Sequence, residues 1–315
     1  MNNAQPSTIA VLGPGGVGGL LAGLLSRTGH KVICLAGEST TQTLNRDGIS
    51  VRSTHFGDFA APVTAATHLT EPVDFCLITC KQTALNAALE RLPADALADG
   101  LVVPLLNGVE HPELLRQRYR PEHVVPGVIR VESTRTAPGV ITHGSPFVQI
   151  DLASTTASQA QIEAVAAVLA GAGVQTRVLL DETATLWAKM SFLAPMALLT
   201  TYYGITVGDL RTGHRDELLT LVDEATTVAR ACGADSNVAA VMNVYDAFPA
   251  ETKSSMQRDS EAGSVLELDA IGGALLRAAD RYGIDAPLAA RLVTELAVTM
   301  PRPSPGTSAP RCSPR

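Results

Sequence analysis

The chain has 315 residues, more than one hydrophobic core usually covers, so about two domains are expected. Hydrophobic residues make up 46% and aromatics only 4%, which implies aliphatic cores of Ala, Leu and Val. A formal net charge of −7 gives no positive field to draw nucleic acid or an anionic membrane surface, so neither is an expected partner and any anionic ligand must be held locally.

No apolar run approaches the roughly 20 residues needed to cross a bilayer. The opening Met1 to Ser7 also lacks the charged and apolar regions of a signal peptide, so a cytoplasmic protein is expected. The cysteines Cys34, Cys76, Cys80, Cys232 and Cys312 are odd in number and mostly lie in apolar runs, which fits buried thiols in a reducing compartment. Cys76 and Cys80 would share one face of a predicted strand, but no further Cys or His stands near them and no metal is expected.

In chain order, the short apolar run Thr8 to Leu12 meets the glycine pattern Gly13-x-Gly15-x-x-Gly18. A helix-compatible segment, Leu20 to Ser26, and a second apolar strand, Val32 to Ala36, follow it. A strand, a glycine turn, a helix and a strand form the unit in which such a pattern binds a dinucleotide. Gly13 would allow the tight turn, Gly15 would leave room for a pyrophosphate, and Gly18 would let the helix pack close to the strand. The free N–H groups of the helix end would hold the phosphates.

Thr40 to Arg46 predicts a short helix, and Ile49 to Arg52 with Ala61 to Ala65 predicts two short paired strands. The next parallel strand is Val73 to Thr79, followed at once by Lys81 and a helix through Glu90. Gly100 to Leu106 is a continuous apolar run, of the kind found in a strand covered on both faces, and it ends in Asn107-Gly108. Further strands are predicted at Val124 to Val131, Gly139 to Thr142, Phe147 to Asp151 and Gln175 to Leu179, with a helix at Gln159 to Ala172.

From Asp181 the strand signal fades and helices are predicted to about Met300. The fold class is therefore α/β, a doubly wound parallel sheet followed by an all-helical C-terminal part. The expected division is 1–180 for a nucleotide-binding domain, 181–300 for a helical substrate domain, and 301–315 for a proline-rich, disordered tail. Ligands in such sheets lie beyond the carboxyl ends of the strands, where the glycine turn, Lys81 and Asn107 should converge.

Two candidate groups in the helical part carry two readings each. Lys189 stands alone in the apolar helix around Leu186 to Leu199, either as a surface lysine snorkelling from a core helix or as an ammonium made a better proton donor by desolvation. Ser264-x-x-Glu267 fits a capping box in which the glutamate merely satisfies backbone donors, and the pattern by itself favours that cap. His111 is expected to be a loop histidine bonded to backbone, Trp187 a packing anchor, and Glu132 with Arg135 either a solvated pair or part of the cleft.

The ordered set of the glycine loop, Thr79-Cys-Lys81, Leu105-Leu-Asn107-Gly108, Trp187-Ala-Lys189, Ser254-Ser255-Met256, Leu266-Glu267-Leu-Asp269 and Tyr282-Gly-Ile-Asp-Ala-Pro287 resembles the ketopantoate reductase (2-dehydropantoate 2-reductase) family over about residues 8 to 298. The resemblance implies a Rossmann domain joined to a helical domain and reduction of a 2-oxo acid by NADPH. It makes Lys189 the general acid, Glu267 the carboxylate that orients substrate and lysine, and Ser255 a hydroxyl for the substrate carboxylate. Gly13, Gly15, Gly16, Gly18, Lys81, Asn107 and Glu267 would hold the cofactor, with Lys81 and Asn107 also reaching the substrate.

Two departures qualify that picture. The family commonly carries asparagines four and eight residues after the lysine, at substrate-lining places held here by Leu193 and Ala197, which points to a less polar 2-oxo acid. Pro195 between them should kink or locally unwind the helix. The arginine expected after the second strand is replaced by Gly37, followed by Glu38, so NADH is a second candidate beside NADPH. The alternative functions are an NADP(H)-binding redox sensor that has lost catalysis and another hydroxy-acid dehydrogenase with a helical second domain. A monomer or homodimer is expected.

Overall fold

Val-, Ile- and Leu-rich runs of four or five residues form most of the strands, and glycine or proline closes many of them. The computed structural model describes residues 6–299, so the expectations for the tail at 301–315 and for Cys312 lie outside the described residues. In chain order the strands are β1 (Thr8–Leu12), β2 (Lys31–Leu35), β3 (Ile49–Ser53), β4 (Phe59–Ala61), β5 (Thr64–Ala66) and β6 (Phe75–Ile78). They continue as β7 (Leu101–Pro104), β8 (Gly127–Arg130), β9 (Ser133–Ala137), β10 (Val140–His143), β11 (Gln149–Leu152) and β12 (Gln175–Val178).

The principal sheet is parallel throughout, in the order β5-β2-β1-β6-β7. The order reverses at β1, whose two neighbours are β2 and β6, and in such sheets ligands bind beyond the carboxyl ends of the strands at that point. Helix Gly16–Arg27 covers one face of this sheet and is itself covered by a second sheet, β4-β3-β10-β9. Its glycines permit that double contact: a Cβ on Gly19 would stand 2.5 Å from Ile141, and one on Gly16 would stand 2.2 Å from the Ser133 carbonyl oxygen. A third sheet, β12-β11-β8, follows, with helix Gln159–Gly171 packed on β12.

Two features differ from expectation. The N-terminal half holds three sheets, because β10 pairs parallel with β3 and so holds β3 and β4 in a separate layer, whose other edge is β9, a strand the sequence pattern did not reveal. The run Ala61 to Ala65 is also divided. Ala61 ends β4 against β3, whereas Thr64 to Ala66 pairs parallel with β2 in the principal sheet. Pro62 between them lacks an N–H for a continuous ladder, which lets the chain change sheets there.

From Glu182 onward the structure is helical. Helix Glu182–Tyr203 starts at Asp181, whose side chain accepts from the Ala184 N–H, and ends at Gly204 in the left-handed conformation with φ 68°. It packs against helices Arg215–Ala231, Ser255–Glu261 and Pro287–Thr299 around an aliphatic core that includes Trp187, as expected of a packing anchor. The helix runs unbroken through Pro195, so the local unwinding expected there does not occur. Ala194, Met196 and Leu198 are buried beside that residue, and Tyr245 Oη donates to the Phe192 carbonyl at 2.7 Å, so packing holds the turn together.

No single helix among the described residues is long and apolar enough to cross a membrane. Glu182–Tyr203 and Val207–Gly213 satisfy the length and composition only as a pair bent by 87°, and most of the first helix is buried in the helical core.

Candidate active site

The turn after β1 has the geometry its sequence requires. Gly13 sits at φ +86°, and a Cβ there would stand 2.8 Å from the Cys80 backbone nitrogen. A Cβ on Gly18 would stand 2.2 Å from Thr79 Oγ1 and 2.5 Å from the Gly13 carbonyl oxygen, so only glycine lets the helix approach β6 this closely. Gly15 differs: the nearest atom to its would-be Cβ is 3.9 Å away, which leaves open space in front of the turn. Gly15 is also the N-cap of helix Gly16–Arg27 and no side chain caps that end. Open space facing uncapped N–H groups fits a dinucleotide pyrophosphate.

Beyond the same strand ends, three groups far apart in sequence join. The Lys189 ammonium donates to Asn107 Oδ1 at 2.9 Å, and Asn107 Nδ2 donates to Glu267 Oε2 at 3.0 Å. The second oxygen of Glu267 accepts from the Gln82 backbone N–H at 2.8 Å. An ionised carboxylate only accepts, so Glu267 fixes the asparagine with its NH₂ toward the carboxylate and its oxygen toward the ammonium. Lys189 is therefore not a snorkelling surface lysine, and Glu267 does not form a capping box with Ser264: the backbone donor it satisfies, Gln82 N–H, opens a short helix in the other half of the chain.

The backbone on either side supports this junction. Residues 264–267 are not helical, and a π-helical turn, Asp269–Gly273, follows before helix Ala274–Tyr282. Such turns often mark functional sites. Gly108, at φ +90°, lets the Asn107 loop lie against that turn, since a Cβ would stand 2.6 Å from the Ala270 carbonyl oxygen.

Burial pushes the Lys189 pKa down to about 8. Repulsion from the Arg130 guanidinium adds to the fall, and the Glu267 carboxylate opposes it. Arg130 closes β8 and is tied to the buried Asp151 at 2.5 Å, which also holds Arg177 at 2.6 Å. Sequence reasoning passed over Arg130, although a charged residue ending an otherwise apolar strand was available as a signal.

His111 departs from expectation. It heads helix His111–Arg118, is 1% exposed, and neither ring nitrogen has a hydrogen-bond partner. Burial pushes its pKa down to about 3, with the Lys189 ammonium contributing, so the ring is neutral. Lys81 forms an ion pair with Asp259 of helix Ser255–Glu261, joining the two halves of the chain. Asp259 itself was not singled out from sequence. Glu132 lies 4.0 Å from Arg258, whereas Arg135 is exposed on β9.

Ser255 is the first residue of its helix and partly exposed, while its neighbour Ser254 is the N-cap, buried and bonded to Thr200 at 2.8 Å. Cys80 lies past the end of β6 rather than on it beside Cys76, and burial raises its thiol to about 12.

Comparison with known proteins adds the family. Residues 9–155 match the family described as Ketopantoate reductase PanE/ApbA, and residues 181–299 match its C-terminal counterpart. The chain belongs to the ketopantoate reductase family. As a member it is an NAD(P)-dependent oxidoreductase. It is 28% identical to a 2-dehydropantoate 2-reductase of Caulobacter vibrioides over 92% of this chain and 98% of that one. It is 29% identical to one of Mycobacterium tuberculosis over 94% and 98%. Among solved structures, the 2-dehydropantoate 2-reductase of Geobacter metallireducens matches with a TM-score of 0.85 and 28% identity, over 93% of this chain and all of that one.

In this ketopantoate reductase family member, the helix face that carries Lys189 continues through Leu193, partly buried, and Ala197, 1% exposed. Both pack with the apolar core of the helical half: Ala197 is enclosed in it, and of the two only Leu193 keeps part of its surface open.

Proposed function

We propose that this protein reduces a 2-oxo acid to the 2-hydroxy acid with NADPH, and that Lys189 is the general acid. The observation that carries the reading is the chain of bonds from Lys189 through Asn107 to Glu267, which brings an ammonium of the helical half to the strand ends beside the glycine turn. Gly13, Gly15, Gly16 and Gly18 would hold the pyrophosphate, with Asn107, Lys81 and Glu267 near the nicotinamide end. The bound cofactor supplies the hydride; the protein must supply orientation, a proton and charge stabilisation.

Lys189 gives its proton to the substrate carbonyl oxygen as negative charge develops there. Asn107, held in one orientation by Glu267, positions the ammonium for that transfer. Ser255 would donate its hydroxyl to the substrate carboxylate at the partly exposed start of its helix, on the same segment as the Lys81 partner Asp259. The acid works only while protonated, so kcat for reduction should be level below pH 8 and fall as pH rises through about 8, where the Lys189 ammonium is lost. A pH profile of kcat tests this; a rate that climbs between pH 7 and 9 would exclude Lys189 as the acid.

Leu193, partly open one turn beyond the lysine, favours a substrate less polar than ketopantoate, whereas Ala197 is enclosed in the core. A terminal hydroxyl left unpaired against Leu193 would cost about 1–3 kcal/mol, or roughly a 5- to 150-fold disadvantage in kcat/KM. The test is NADPH oxidation with a panel of 2-oxo acids. Branched, hydroxyl-free acids should be reduced faster than ketopantoate; strong preference for ketopantoate refutes the substrate assignment, and NADPH binding without turnover on any member refutes the reductase reading.

A further inference from the structure

Gly37 occupies the place after β2 where a cation for a 2′-phosphate would be looked for, yet the structure sets a cation over it from elsewhere in the chain. Arg91 follows the short helix Leu85–Leu89. Its Nη1 donates to the Ala36 carbonyl oxygen at 3.0 Å and to the Thr67 carbonyl oxygen at 3.0 Å, the residues just past β2 and β5. Its Nη2 is the nearest atom to the position a Cβ on Gly37 would take, 3.9 Å away.

The backbone of Arg91 is fixed as well, donating to the Ala88 carbonyl at 3.0 Å and accepting from the Leu69 N–H at 2.8 Å. Both side-chain bonds go to neutral carbonyls, so among the described residues no carboxylate is bonded to this charge. Glu38, one residue beyond Gly37, is exposed and points to no partner among the described hydrogen bonds.

In dinucleotide folds the end of the second strand meets the ribose 2′ position, where an acidic residue suits a free hydroxyl and an arginine suits a phosphate. We infer that Arg91 is a specificity-determining residue, its Nη2 binding the 2′-phosphate of NADPH across the bare backbone of Gly37. The inference rests on the NADPH reading proposed above and deepens it. It also gives Gly37 a reason, since a side chain there would stand between Nη2 and the ligand. A guanidinium already held at one nitrogen loses little freedom when the other bonds a phosphate.

Binding of adenosine 2′,5′-bisphosphate and of 5′-AMP to the full-length protein, followed by titration calorimetry, tests the assignment. Neither ligand carries a nicotinamide, so the result does not depend on whether a 2-oxo acid is reduced. The unaltered protein should bind the bisphosphate roughly tenfold or more tighter than 5′-AMP, as one charge-assisted phosphate contact predicts. Arg91→Met should abolish most of that preference and leave 5′-AMP binding within about twofold, because only the 2′-phosphate contact is removed.

Arg91→Lys, which keeps a cation and a bond to a carbonyl should the methionine variant not fold, should lose the preference several-fold for want of the second nitrogen. Equal weakening of both ligands would reduce Arg91 to a clip between two strand ends and overturn the proposal. An undiminished preference in the lysine variant, or no preference in the unaltered protein, would overturn it too, the last taking the NADPH assignment with it.

Discussion

Lys189→Ala is expected to lower kcat for 2-oxo acid reduction by roughly 10²- to 10⁴-fold, the range supplied by a positioned general acid, while leaving the Kd for NADPH within about twofold. The nitrogen that would be lost is held at 2.9 Å by Asn107 Oδ1, and its pKa of about 8 makes it both protonated at neutral pH and a stronger acid than a solvated lysine. The glycine turn that would hold the pyrophosphate lies on other elements and makes no use of that side chain. Steady-state kinetics paired with NADPH fluorescence titration separates the two quantities. A variant that kept full turnover would remove Lys189 from the chemistry, and one that lost nucleotide binding in the same proportion would make it a binding residue.

Glu267→Gln is the second large effect, because it alters the one group that fixes Asn107. The carboxylate accepts from both the Gln82 N–H and Asn107 Nδ2. An amide has one oxygen for those two donors, so its NH₂ must face either the Gln82 N–H or Asn107 Nδ2, and in the second case the asparagine either loses its partner or turns over and sets an NH₂ against the Lys189 ammonium. Leaving one such donor unmatched costs about 1–3 kcal/mol, and the same amount lost from transition-state positioning is roughly a 5- to 150-fold fall in kcat. Removing the negative charge that favours the ammonium should also move the alkaline limb of the pH profile below pH 8. A downward shift of that limb is the readout a purely structural role would not produce; a variant with unchanged profile and rate would break the proposed link from Glu267 to Lys189.

Much of the architecture was legible in the sequence, and for local reasons. The run Thr8–Leu12, the turn at Gly13 and the strand Lys31–Leu35 depend on short-range periodicity and on backbone conformations open mainly to glycine. Helix Gln159–Gly171 was marked by its apolar stripe, and Ser158 with Gln161 completes a capping box there. The same motif failed at Ser264 and Glu267. Both sites carry the right residues at the right spacing, but Glu267 finds donors 160 and 185 residues away in Asn107 and Gln82, and those long-range bonds displace the local one.

The sequence by itself therefore determined most of the order of strands and helices and the glycine turn, because these rest on neighbours within a few positions, where chain geometry is nearly fixed. The lysine, asparagine and glutamate of the candidate site stood out only through their resemblance to the family's motifs. Tertiary structure decided the rest. It divided the N-terminal half into three sheets by pairing Val140–His143 with Ile49–Ser53 and adding the unrecognised strand Ser133–Ala137 at the edge. It buried His111 without a partner and joined Lys81 to Asp259. It carried Arg91 to the end of a strand 55 positions earlier. Contacts at such separations depend on how whole layers pack, and no pattern within one segment encodes which distant group will arrive against it.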